Sequence, residues 1–322
     1  MSELLTDGER MIRWAKDLWD YPRSLTGHGT HATLKYLKSI NNDLNLHLFK
    51  SGERVFDWTI PDEWNIYDAF IEHESGEKFA KFSSHNLHIM GYSVPCDIHL
   101  SLSELLPHIY TQPNQTDVIP YVTSYYADNW GFCMSEKDKR KLPTGKYHVV
   151  IDSPKGPGTM ELADLVIEGD SNDEIFFSTY ICHPSMANNE LSGPVLASAL
   201  IQYIKHKYKK PKYTYRFVFV PETIGSIAYL SQNLDKLQDK VICGFNLSCV
   251  GDERSYSHIE SRMGDTLADK ALQAALIGLK NVVTYSFLER GSDERQYCAP
   301  GVDLPLCGFC RAKYGEYPEY HT

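Results

Sequence analysis

The chain has 322 residues, 42% hydrophobic and 23% charged, and a formal net charge of −10. That composition is globular and supplies a sizeable core, enough for one large α/β domain or a main domain with a smaller one attached. The acidic balance speaks against nucleic acid and anionic membrane as main partners, and no apolar run approaches the length that crosses a bilayer.

Taken in chain order, apolar residues at helical spacing (Leu4, Leu5, Met11, Ile12, Trp14, Ala15, Leu18) predict a helix from Glu3 to Trp19. The stretch lacks the basic-then-apolar layout of a signal peptide. "PRSLTGHGTHATLKYLKSI" reads as a glycine-bearing loop feeding a second helix. From Leu44 to about Tyr147, short alternating or aromatic runs such as "RVFDWTI" and "DAFIEH" are separated by Pro, Gly and Asn turns, the pattern of a mostly β segment. "MSEKDKRKLPTGKYHVVID" reads as a short helix or loop leading back into a strand.

From about Glu161 the pattern alternates. "EIFFSTYICH" precedes the helical "SGPVLASALIQYIKH", "YTYRFVFVPE" precedes "GSIAYLSQNL", and "VICGFNLSCVG" precedes "DTLADKALQAALIGL". Continuous apolar strands separated by helices predict a largely parallel sheet covered on both faces. Ligand sites in such sheets gather at the C-terminal strand ends. The polar residues at those ends are His183, Glu222, Asp252, Glu253 and Asp293, with His321 near the end of the chain.

Each of these has a plain structural explanation. Glu190 with Asn188 and Asn189 could cap a helix, His183 could be a core-edge histidine, and Glu222 could close a strand before a Thr223 cap. The eight cysteines are scattered, several within apolar runs, which points to buried thiols in a reducing cytoplasm. "CGFC" at 307–310 has redox-pair spacing but lies in a strand-like run with no following helix, so a redox role is disfavoured.

The ordered motifs "ICHPSMANNELSGPVLASAL", "FVFVPETIGSIAYL", "GFNLSCVGDE", "GSDERQYCAPGVDLP" and "YPEYHT" resemble the co-catalytic zinc aminopeptidases over about the C-terminal half. The resemblance is closer still to a bacterial aminopeptidase-like family whose members are often named polysaccharide biosynthesis proteins. It implies a three-layer α/β/α zinc-exopeptidase-like fold with a mixed, largely parallel sheet. Residues 1–44 and 148–322 would form the peptidase-like domain, with a small β-rich domain inserted at 45–147. It also implies continuation past Thr322 into a helical, winged-helix-like region.

Carried over residue by residue, the resemblance gives His183 and His321 as metal-binding histidines and Glu222 as general base. The bridging-aspartate position is Asn189, the second glutamate is Thr223 and a later aspartate is Ser248. Two adjacent dications need several carboxylates, so one zinc is favoured over two, held by His183, Glu190 and His321. Asp252, Asp293, Arg295 and Arg311 are expected to line a substrate site, the arginines suiting a carboxylate. The reading is a zinc-dependent hydrolase of an amide or peptide bond in a small, amino-acid-like substrate, with water activated by zinc and Glu222. A deacylase in surface polysaccharide or natural-product biosynthesis is a close alternative. From another class comes a catalytically degenerate binding or scaffold protein, motivated by the three lost acids. The partner is a small molecule or short peptide, with neither nucleic acid nor membrane, and a homo-oligomer is compatible.

Overall fold

The computed structural model describes residues 6–322. Residues 3–5 of the expected first helix lie outside them. The helix runs Asp7–Leu18, opened by Thr6, whose hydroxyl and the Glu9 carboxylate close a capping box. The second spans His28–Ile40. No helix among the described residues is long and apolar enough to cross a membrane.

The centre is an eight-stranded mixed sheet in the order Asn45–Lys50, Thr159–Ile167, Tyr213–Val220, Ser171–Tyr180, Val241–Leu247, Leu306–Cys310, Tyr256–Ile259 and Val282–Tyr285. Its four central strands, from Tyr213–Val220 to Leu306–Cys310, are mutually parallel. The alternation of a strand decides which layer each residue joins. In Tyr213–Val220, Phe217 and Phe219 pack with Trp14, Leu18, Leu37 and Ile201 on one face. Val218 and Val220 pack with Ile224, Ala228 and Leu237 on the other. The helices Ser192–Lys207 and Ile224–Lys240 thereby cover opposite faces, giving three layers.

The β-rich excursion is set differently from its expected limits of 45 and 147. Asn45–Lys50 pairs antiparallel with Thr159–Ile167, so it belongs to the main sheet. Lys146–Asp152 lies inside the excursion's own four-stranded sheet, between Asp68–His73 and Cys96–Ser101. An exposed edge strand and an inserted strand have the same composition, and only the pairing partner separates them. The excursion has no core of its own. Trp64, Ile71, Tyr147 and Val149 join the same apolar cluster as Phe176 and Leu237.

Two buried polar networks fix the sheet. The Arg216 guanidinium is bidentate to Glu174 at 2.6 and 2.8 Å, and Tyr229 donates to Asp164 at 2.7 Å beside it. Asp269 caps the helix Leu267–Leu276 and accepts from Ser261 and Thr266, with the His258 Nε2 at 3.0 Å. Burial pushes the Asp269 carboxyl up, but these hydrogen bonds outweigh it and hold it well below its usual range. Asp269→Asn should therefore cost about 1.5–3 kcal/mol at neutral pH. An acid held low in the folded state stabilises above its unfolded pKa, so the gap to wild type should close as pH falls below 3.8. Urea midpoints of both proteins at pH 7 and pH 3 check this.

The "CGFC" thiols do not pair. Three positions apart on the strand Leu306–Cys310, they point to opposite faces, Cys307 toward Ala268 and Cys310 toward Tyr314. All eight cysteines are free.

Candidate active site

The interior parallel strands end along one edge of the sheet, and the chain leaves each end with a polar residue. Tyr180 leads to His183, Val220 to Glu222, Leu247 to Ser248 and Cys249, and Cys310 to Arg311. Four residues at this edge hold left-handed backbone: Ser185 (φ 46°), Thr223 (φ 67°), Cys249 (φ 51°) and His321 (φ 58°). Each such non-glycine conformation costs on the order of 1–3 kcal/mol, and strain of this kind gathers at functional sites. After His183, the segment Ala187–Leu191 makes one π-helical turn, with the Leu191 N–H donating to the Met186 carbonyl five residues back. That turn buries Asn189 and Glu190 rather than leaving them as exposed caps. Gly193 lets it approach the sheet, since a Cβ there would lie 2.2 Å from Thr179 Oγ1 and 2.8 Å from the Leu247 carbonyl.

His183 is addressed from both edges of its ring. Glu190 Oε2 lies 3.2 Å from Nδ1, out of line for a straight hydrogen bond, and Cys182 Sγ is 3.3 Å from the same nitrogen. Glu222 Oε2 lies 3.7 Å from Nε2. Behind Glu190 stands Arg23, fully buried, with Nε 3.6 Å from Oε1. Arg23 also donates from Nε to the His183 carbonyl at 2.9 Å and from Nη1 to the Leu18 carbonyl. Glu222 Oε1 accepts from Ser292 Oγ at 2.8 Å. The His321 ring centroid is 5.5 Å from that of His183, with the Tyr121 ring 4.9 Å from His183 and 5.1 Å from His321.

Burial pushes both imidazoles down to about 3, with Arg23 adding to the shift at His183 and His183 adding to it at His321. Both rings are therefore neutral with a free lone pair. Burial pushes Glu190 up to about 8 against the opposing pull of Arg23, and pushes Glu222 well above its usual range with the help of Asp293.

The family model described as a domain of unknown function, DUF4910, matches residues 12–322. The chain belongs to this family. Among its relatives, a Clostridium acetobutylicum protein named as a polysaccharide biosynthesis protein with an aminopeptidase-like domain is 40% identical over 317 residues, covering 98% of this chain and 72% of that one. A crystal structure from the same organism, of a protein provisionally named a peptidase, superposes with a TM-score of 0.93 at 40% identity over 98% of this chain and 74% of that one. A zinc aminopeptidase from Bacillus subtilis superposes with a TM-score of 0.69 at 12% identity, covering 98% of this chain and 87% of that one. This likeness shows a shared fold, so the DUF4910 chain has the aminopeptidase architecture expected from its motifs.

The residues of this DUF4910 site include donors of a kind that could hold a metal ion. Two neutral imidazoles stand side by side, and Asn189 Oδ1 and both Glu190 oxygens are buried without a hydrogen-bond partner. Asn189, Thr223 and Ser248 bring no charge for a second ion. The expected ligand triad is split, however. Glu190 stands at Nδ1, the opposite edge of the ring from Nε2 and Glu222. Among the described residues, the group of potential donors close to His183 is Cys182, His183 and Glu190, with ligand atoms within 4.8 Å, and His321 is outside it. A single ion cannot take both Nε2 and a carboxylate lodged at Nδ1.

Three of the four residues expected to touch substrate have other partners. Asp293 Oδ1 accepts from the Thr223 N–H at 2.7 Å and from Ser226 Oγ at 2.9 Å, so it pins the strained Thr223 and thereby Glu222. Burial pushes its carboxyl up to about 7. Asp252 accepts from the Ala312 N–H at 3.1 Å and pairs with Arg254. Arg311 donates to the Ser255 carbonyl and stacks over Tyr256. Arg295 is exposed, at a groove with Phe56, Trp58 and Ile227.

Three residues at the DUF4910 site carry no local sequence signal. Arg23 comes from the loop before the second helix, Tyr121 from the excursion and Ser292 from the loop after the last outer strand. They meet His183, His321 and Glu222 only through long-range contact.

Proposed function

We propose that this protein is a metal-dependent amide hydrolase acting on a small, amino-acid-like substrate. His183, through Nε2, and His321 would hold one zinc, with Glu190 as the carboxylate that fixes the His183 ring from behind. Zinc bound there would supply Lewis acidity toward the scissile carbonyl and acidify an attacking water. Glu222 takes the proton of that water, and burial that raises its proton affinity suits a base. Ser292 holds the other carboxylate oxygen, which leaves Oε2 facing Nε2. Arg23 grips the His183 carbonyl and offsets the charge of Glu190.

The observation that carries this reading is the two-sided setting of His183. One ring edge is occupied by a buried carboxylate that orients it, and the other faces a second buried carboxylate. The name of the Clostridium acetobutylicum relative favours an amide on an amino-acid or sugar intermediate of a biosynthetic pathway, which keeps a deacylase alongside an aminopeptidase.

Elemental analysis after zinc loading, with an amidase panel spanning amino-acid amides, dipeptides and N-acyl sugars, tests it. About one zinc per chain and hydrolysis of at least one class is the expected result. No bound zinc and no hydrolysis would overturn it in favour of a binding module. Two zincs per chain would overturn the single-ion site.

A further inference from the structure

Arg295 opens onto a groove of about 490 Å³ whose two walls come from the excursion and from the main domain. On one side, the hairpin joining Arg54–Val55 to Trp58–Thr59 presents Phe56, Asp57 and Trp58. On the other, Ile227 comes from the helix Ile224–Lys240, and Arg295 and Gln296 from the short helix Glu294–Tyr297. Both helices start at the site, the first just after Glu222 and Thr223, the second just after Asp293. The Ile227 N–H donates to the Thr223 carbonyl at 3.0 Å, and the Gln296 N–H to the Asp293 carbonyl at 3.0 Å. This wall of the groove therefore lies one helical turn, about 5.4 Å, past the residue that follows Glu222. On the excursion side, aromatic residues span the same gap. Trp58 meets Tyr126 edge-on at 5.9 Å, Tyr126 meets Tyr125 at 6.4 Å, and Tyr125 OH joins Tyr121 OH at 2.7 Å beside His183.

Stability alone does not account for how this groove is built. Phe56 holds left-handed backbone (φ 56°) with half its surface exposed, so a disfavoured conformation is combined with little burial in return. Tyr126 is 74% exposed. Gln296 Oε1 is buried with no hydrogen-bond partner, a cost that a donor would relieve. Arg295 and Asp57 are exposed and opposite in sign, so an anion would meet Asp57 and a cation Arg295. Flat apolar rings, a lone acceptor and one charge of each sign suit a neutral ligand with C–H faces and with hydroxyls that both donate and accept. A hexose ring has that surface.

We propose that this groove binds the sugar portion of the substrate, so that the amide cleaved beside Glu222 is one borne by an amino sugar. This deepens the function proposed above and rests on it. Phe56 and Trp58 pack against the C–H faces of the ring, a sugar hydroxyl donates to Gln296 Oε1, and the Arg295 guanidinium donates to two neighbouring ring oxygens. No bond forms or breaks in the groove.

The test is a ligand-observed NMR titration of the zinc-loaded full chain with methyl glucoside, a hexose with no amide to cleave. N-acetylalanine methylamide serves beside it as a small neutral peptide. One saturable sugar site is expected, weakened about tenfold in Trp58→Ala and about threefold in Phe56→Asn and in Arg295→Ala. Asparagine tolerates the left-handed turn and Arg295 is exposed, so these two variants report even where Trp58→Ala fails to fold. Unchanged sugar binding in both of them overturns the proposal. So does a wild type that binds no sugar, or one that binds the blocked peptide more tightly through the same residues. Hydrolysis is read separately on the amide panel. A wild type that cleaves amides yet ignores the sugar brings down the groove alone, whereas one that binds sugar through these residues and cleaves nothing brings down the hydrolase reading and leaves the sugar site standing.

Discussion

Replacing Glu222 by glutamine should lower amide hydrolysis on the order of 1,000-fold while zinc content and fold are retained. Gln has the shape of Glu but cannot take a proton, and general base catalysis contributes about 10²–10⁴ to such reactions. The same change removes a charge that burial and Asp293 disfavour. The melting temperature should therefore stay level or rise, as happens when a residue kept for function at the expense of stability is neutralised. Activity, elemental analysis and a thermal melt on one preparation check all three. Activity above about one tenth of wild type would remove Glu222 from the role of base, and lost zinc would make it a ligand instead.

Replacing Arg23 by methionine should destabilise the protein by about 3–5 kcal/mol above pH 8, where Glu190 is ionised and loses its cation, and by less at lower pH, where Glu190 is protonated. For a chain of this size that corresponds to a fall in melting temperature of roughly 10 °C. Activity should fall with it, since Arg23 also anchors the His183 carbonyl. The double change Arg23→Met with Glu190→Gln separates the causes. If charge compensation is what Arg23 provides, the double variant should regain much of the lost stability. If the double variant is no more stable than Arg23→Met alone, the grip on the backbone carbonyls of His183 and Leu18 is what matters.

The sheet interior was readable because its strands carry unbroken apolar runs, a pattern that only a sheet covered on both faces explains. From there the strand-end rule led to His183 and Glu222, and the motif order led to His321. The strand Asn45–Lys50 was misplaced because an edge strand advertises its alternation but not its partner. Glu190 was readable as an important carboxylate, yet whether it meets Nδ1 or Nε2 depends on the π turn at Ala187–Leu191, which adds one residue to the helical repeat. Asp293 was expected to touch substrate. Its work, holding Thr223 at a positive φ, appears only once the backbone is known. Arg23 and Tyr121 had no local signature at all. Their partners lie 160 and 200 positions away along the chain.

Those separations have a temporal meaning. His183 is held by a residue from the first helical hairpin, His321 by one from the excursion, and Glu222 by Ser292 far downstream. Closing such long loops is entropically costly, and contacts of this kind form late, after the helices and adjacent strand pairs are in place. A half-made molecule, or one with a loosened excursion, holds the histidines but not the means to aim them. The geometry of this edge is therefore complete only when segments from both ends of the chain and from the excursion have all closed on it.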